Sequence, residues 1–278
     1  FLRLRQRPVP GPRISVRHRL FQAAIPLALA DDLKAGISTT ENLMVPKRLA
    51  LYPGAGNPLA AFGTVCGMVF PVLMFPAAII FSLAELLIPE LARCAAAGSQ
   101  NRIRYLTKRS LKITLLYGCF FCGLEVLLGQ TLCQALYKNQ EVGEHLRLYA
   151  LLIPMLYCDA ITDAMTKGLG QQKVCVRYNI LTSAMDVAFL YILLPRYGMG
   201  GYFASFLVTH LLNFILSLRR LLKIAGNVLS LKGPILAVLG TAIAIWGASF
   251  LQSPILRTGG FLLLWALFVF CLQQVCLD

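Results

Sequence analysis

Apolar positions fill the chain in runs of about 20 residues, separated by short stretches rich in Arg, Lys, Gly and Pro. A hydrocarbon core about 30 Å thick needs roughly 20 residues of α-helix at 1.5 Å per residue, so each run predicts a transmembrane helix. Eight are expected, at about Leu20–Val45, Ala61–Ile88, Ile113–Leu128 (with a charged flank reaching back to Ser110), Leu146–Gln172, Tyr178–Leu194, Tyr202–Leu218, Pro234–Leu251 and Gly259–Cys276. Turn-rich segments join them: PKRLALYPGAGNP, a loop near Gln130–Glu144, GLGQQKVCVR and PRYGMGG. Pro71 and Pro76 interrupt the second run, which is expected to end at Pro89–Glu90. The first run also fits a soluble amphipathic helix, because periodicity alone does not separate the two. The predicted fold class is all-α, a polytopic transmembrane bundle.

Composition supports this pattern. At 58% hydrophobic, 14% charged and a mean hydropathy of +0.69, the chain has more apolar residues than a soluble core of 278 residues needs. A net charge of +14 would point to nucleic acid in a soluble protein, but here the cations gather between the apolar runs as membrane flanks do, which excludes that partner. With the N-terminus placed inside, the inner segments hold 19 Lys and Arg and the outer ones six, with Lys34 inside the first run. Both termini are therefore expected to be cytoplasmic. The chain opens on Phe and an Arg- and Pro-rich run, read as an internal linker over 1–19, so the sequence is expected to be a fragment.

Candidate chemistry is confined to acids inside the apolar runs. Asp31, Asp32, Glu41, Glu85, Glu125, Asp159, Asp163 and Asp186 make eight of the twelve Asp and Glu, where lipid-facing helices avoid them. Asp159, Asp163 and Lys167 stand four residues apart and share one helix face, while Asp163 and Lys167 equally fit a self-neutralising pair. Glu85 and Glu125 lie near run ends, where a side chain reaches headgroups or water. His210 fits a packing histidine better than a proton carrier, and Asn179, Asp186 and Asn213 add polarity to the fifth and sixth runs. Asp159 and Glu41 are deepest and are the strongest functional candidates. The nine Cys give neither a metal nor a disulfide framework, and Cys119-x-x-Cys122 falls inside a span as packing. No nucleophile elbow, P-loop or H-E-x-x-H occurs, so no catalytic residue and no resident cofactor is assigned. That pattern reads as a transporter and not an enzyme.

The strings STTENLMVPKRL, FGTVCGMVFPVLMFP, LIPELA, DAITDAMTKGLGQQ, RYNI, LPRYGMGGY and LNFILSLRRLLK together resemble the stage V sporulation protein B-like family. That family belongs to the multidrug/oligosaccharidyl-lipid/polysaccharide flippase superfamily. The resemblance covers about Leu20–Lys223. It implies a MATE-like fold of two six-helix bundles, often with two added helices, alternating between inward- and outward-open states. On that basis 1–19 is the linker, 20–223 the second bundle and 224–278 the two accessory helices, with the first bundle a missing partner. It also implies a multi-pass protein of the plasma membrane moving lipid-linked oligosaccharide or cell-envelope precursors such as polysaccharide or peptidoglycan units, coupled to H+ or Na+. In the drug-extruding branch, acids of the first and fourth helices of this bundle help form a cation site, and Asp31, Asp32 or Glu41 with Asp159 or Asp163 would answer to it. Lys167, Asp186 and Asn213 would line the same cavity, and Arg177 with the inner basic loops would attract anionic headgroups. Two other readings stay open: a cation-coupled multidrug antiporter, although the drug-exporter signatures are absent, and a truncated fragment that transports nothing.

Overall fold

The computed structural model describes residues 16–54, 56–226, 232–251 and 253–275, with side chains described from 32 to 270 within those limits. Most of the expected linker over 1–19 lies outside them, as does the Asp31 side chain. Every regular element described is helical. The chain is an all-α polytopic bundle. Four helices are individually long and apolar enough to cross a membrane, and two bent helix pairs raise the number to six. The first expected span falls outside that measure because of its internal charges, and the last, a 22-residue helix over Pro254–Val275, has side chains described only as far as residue 270.

Helix α1 (Val16–Leu49) is one continuous 34-residue helix, so neither Pro26 nor Gly36 breaks it. It touches mainly α8 (Gln172–Tyr197) and the start of the second span, and between Asp32 and Leu49 it buries only Val45 and Leu49. Arg48 anchors its end, donating Nε to the Tyr191 carbonyl at 3.3 Å while its guanidinium lies 3.3 Å over the Tyr191 ring.

The second span is broken. Asn57 caps α2 (Pro58–Thr64) by accepting from the Ala60 amide, a π-helical turn covers Val65–Val69, and α3 (Phe70–Met74) stops before Pro76. Helix α4 (Ala77–Ala96) then leaves at 63°. The chain bends at Pro76, which has no amide to give Val72 O; that carbonyl accepts from the Phe75 amide at 3.3 Å instead, and two tyrosines brace the bend, Tyr157 donating to Leu73 O at 3.2 Å and Tyr117 to Pro76 O at 2.8 Å. Pro89 does not end this span. Helix α4 carries it internally and runs to Ala96, where Gly98 at φ +66° turns the chain.

Helix α5 (Gln100–Tyr137) merges the basic connection, the third span and most of the expected Gln130–Glu144 loop into one 38-residue helix. At about 57 Å it overruns the hydrocarbon core, so its Arg- and Lys-bearing start projects beyond it. The loop shrinks to a two-residue turn. Lys138 takes the left-handed conformation at φ 54°, and Asn139 caps α6 (Gln140–Ala150). Gly143 lets the two helices close, since a Cβ there would sit 2.7 Å from Gln130 Cα.

The fourth span is broken as well. Between α6 and α7 (Ile153–Gly168) the axis bends 54° at Leu151–Leu152, just ahead of Pro154. Helix α7 is the centre of the bundle, with eleven of its sixteen residues buried, among them Ile153, Tyr157, Ile161 and Met165. Small residues bring its neighbours near: a Cβ at Gly168 would meet Ile88 O of α4 at 2.8 Å, and one at Gly118 of α5 would meet Pro154 Cα at 2.8 Å. Helices α8 and α9 (Met199–Ala225) pivot on Gly198 alone, so the expected seven-residue turn is mostly helix. The accessory pair, α10 (Lys232–Ser249) and α11 (Pro254–Val275), docks on α5 through Phe261, which lies over Gly123. Large apolar side chains such as Phe75, Leu86, Ile243 and Leu263 stay exposed on the outside, as a lipid-facing surface requires.

Candidate functional site

Helix α9 buries one residue in every four along a single stripe: Gly201, Ser205, Thr209, Asn213, Ser217, Leu221 and Ala225. Side chains four apart stack on one helix face, and small or hydroxylated ones allow close approach and interhelical hydrogen bonds. This stripe faces α7 and α8, and each of those helices presents one acid to it.

From α7 comes Asp159. Asn213 donates its amide to both carboxylate oxygens, at 3.0 and 3.1 Å, with the two residues 9% and 7% exposed. His210, one turn back on α9, places Nδ1 3.8 Å from Asp159 Oδ2, an ion pair when the imidazole is protonated, and its ring packs 4.2 Å from that of Phe206. From α8 comes Asp186, whose Oδ1 accepts from Ser205 Oγ at 2.6 Å. Thr209 Oγ1 lies 3.1 Å from the same oxygen and 2.9 Å from the Ser205 carbonyl, so its single proton serves one of them at a time. Glu41 of α1 completes the arrangement from outside, half-buried and within electrostatic reach of both Asp186 and His210.

The result is a polar arch across four helices, running from Glu41 through Asp186 and His210 to Asp159. It offers three carboxylates, one imidazole and two hydroxyls, with oxygen as the prevailing donor. Oxygen donors suit a proton or a hard monovalent cation, and they also suit sugar hydroxyls. Asn213 Oδ1 is buried without a hydrogen-bond partner, which leaves an acceptor open at the Asp159 end.

Other candidates lie apart from the arch. Asp163 pairs with Lys167 on its own helix at 2.8 Å. Asp32 is exposed on α1, and Arg177 is exposed near the start of α8. Glu85 is exposed on α4, whereas Glu125 is buried inside α5 and does not reach headgroups as its place near a run end suggested. The reason is the length of α5: its C-terminal end lies twelve residues further on, at Tyr137. Ser205 and Thr209 were not singled out from sequence, although Gly201, Ser205, Thr209, Asn213 and Ser217 at fixed four-residue intervals are a legible signal. His210 packs its ring against Phe206 and also faces Asp159.

At its C-terminal end, α9 is tied down by side chains that cap its backbone. Arg104 donates Nε to Ala225 O at 3.1 Å and Gln100 donates Nε2 to Ile224 O at 2.7 Å, satisfying the last carbonyls of the helix. Arg220 reaches Gln171 Oε1 in the α7–α8 turn.

A comparison with solved structures matches a lipid II flippase, MurJ, in an inward closed conformation, with a TM-score of 0.63 and 11% identity. The match covers 95% of this chain and 57% of that one, so the chain spans little more than half the length of that protein. The fold is shared. No family model matches the chain, and no curated protein matches it either.

Proposed function

We propose that this chain is the cation- and substrate-binding bundle of a flippase-type transporter for lipid-linked oligosaccharide or cell-envelope precursors. The observation that carries the reading is the buried Asp159–Asn213 bridge, on the same α9 stripe as the Asp186–Ser205–Thr209 cluster, in a bundle with the fold of a lipid II flippase. A carboxylate at mid-membrane costs roughly 2.5–3.5 kcal/mol on insertion scales, a cost supported where the group binds something.

In this reading the bundle works with a second one, which the open flank of α1 between Asp32 and Leu43 would face. The arch binds H+ or Na+ through Glu41, Asp186, Ser205 and Thr209, and Asp159 with Asn213 engages the ion or sugar hydroxyls. Bends at Pro76 and before Pro154 give two spans the discontinuity on which alternating access relies. Arg177, Lys173, Arg219 and Lys223 lie on the basic, inner side and attract anionic headgroups. Both termini are then cytoplasmic, in the plasma membrane.

The test is translocation of a fluorescent lipid-linked saccharide in proteoliposomes of the intact transporter. Asp159→Asn is expected to lower the rate at least tenfold, and an unchanged rate removes the site. The acids of α1 and α7 bracketing His210 favour a second reading, a cation-coupled exporter. It predicts gradient-dependent efflux of cationic dyes, which the flippase reading does not.

A further inference from the structure

Glu125 is the one buried carboxylate among the described residues that the arch does not use. It is 6% exposed, and its Oε2 is fully enclosed without a hydrogen-bond partner. Its position follows from the antiparallel packing of α5 against the α6–α7 pair. Gly118 of α5 faces Pro154 at the start of α7, and Gly129 faces Leu146 of α6. Glu125 lies between those two crossings, where the neighbouring Val126 carbonyl accepts from Arg147 of α6, about one helical turn from the elbow at Leu151–Leu152.

The groups around it are few and weakly polar. Tyr157 of α7 is within electrostatic reach, but its hydroxyl is committed to Leu73 O of the other broken span. Cys122 and Cys133 flank it on α5. From α6, Arg147 is the one cation close along the chain packing, and its Nε is committed to the Val126 carbonyl at 2.8 Å. From the accessory pair, Phe261 covers Gly123 and Thr241 contacts Cys119, so neither brings charge. A metal cation needs several converging oxygens, which these thiols and rings do not supply. A proton needs one.

We propose that Glu125 is a proton-binding site separate from the arch, a carboxyl held in its acid form between α5 and α6 that exchanges its proton with water when that contact opens. The balance is simple: the acid form fits the enclosed state, and release gives Glu125 carboxylate plus a hydrated proton. This gives the bundle a second titratable element, apart from the arch.

The test uses the full chain in detergent micelles and needs no transport, so it stands or falls independently of the proposed function. Dicyclohexylcarbodiimide, a hydrophobic reagent for protonated carboxyls, is expected to label Glu125 in preference to the exposed Glu85, as mapped by peptide mass spectrometry. Above the titration midpoint labelling falls about tenfold per pH unit. Glu125→Gln abolishes the label and removes one protonated-carboxyl band from the infrared spectrum, while Glu85→Gln leaves both. Absence of labelling at Glu125 at every pH in the folded wild type overturns the proposal, as does pH-independent labelling at the rate of Glu85. Should Glu125→Gln fold poorly, the wild-type pH profile decides alone.

Discussion

Asn213→Ala isolates the bond that joins α7 to α9. In the wild type one amide serves both oxygens of Asp159 at ordinary hydrogen-bond lengths, and neither residue is exposed enough for water to replace it. Hydrogen bonds to a charged group contribute about 1.5–3 kcal/mol, while interhelical polar pairs in membranes average about 0.6 and reach about 1.7. The Asp159–Asn213 pair belongs near the upper end of the membrane range, because the bond is two-pronged and the alternative partner, His210, stands at 3.8 Å. Asn213→Ala is therefore expected to cost about 1.5–3 kcal/mol, including the penalty of stranding the carboxylate. Coupling with Asp159→Ala should be about 1–2 kcal/mol in a double-mutant cycle. Reversible unfolding in mixed micelles, followed by the fluorescence of Trp246 and Trp265, reads both quantities. Additivity within about 0.3 kcal/mol would refute the reasoning, because independent sites behave that way.

Glycine substitutions give a matched pair. Gly168→Ala drives a methyl into the Ile88 backbone and should cost about 1–3 kcal/mol in the same assay, whereas Gly36→Ala on α1 meets nothing within 4 Å and should be neutral or stabilising by up to about 1 kcal/mol. Tyr117→Phe and Tyr157→Phe each remove a side-chain donor from a carbonyl of the Pro76 bend; a loss of about 1 kcal/mol apiece is expected, with faster amide exchange confined to the bend. Phe261→Ala removes the ring that seats α11 over Gly123, so limited proteolysis between α9 and α10 should accelerate while α7 stays protected.

The all-α membrane class was legible from apolar run length, since the hydrocarbon thickness fixes that length directly. Boundaries were less so. Residues Gln130–Tyr137 look like a loop because they are polar, yet α5 continues through them, and only the left-handed Lys138 and the Asn139 cap mark its end. The break at Leu151–Leu152 lies in a uniformly apolar run with Pro154 as its sole cue, and a proline alone does not distinguish a kink from a helix start. For the site, depth along the helix picked out Asp159 and Glu41, but their relation depends on which faces meet. Spacing along one helix could not show that His210 and Asp186 stand between them. Asp163, on the same stripe as Asp159, turns to Lys167 because an i,i+4 cation is nearer than any partner on α9.

The central claim is that the arch couples ion binding to movement of a lipid-linked cargo. Its most direct test is translocation of a fluorescent lipid-linked saccharide by the intact transporter in proteoliposomes, with and without an imposed H+ or Na+ gradient, for wild type and Glu41→Gln. The account predicts gradient-stimulated translocation in the wild type and loss of that stimulation in Glu41→Gln. Equal stimulation in both proteins would contradict it.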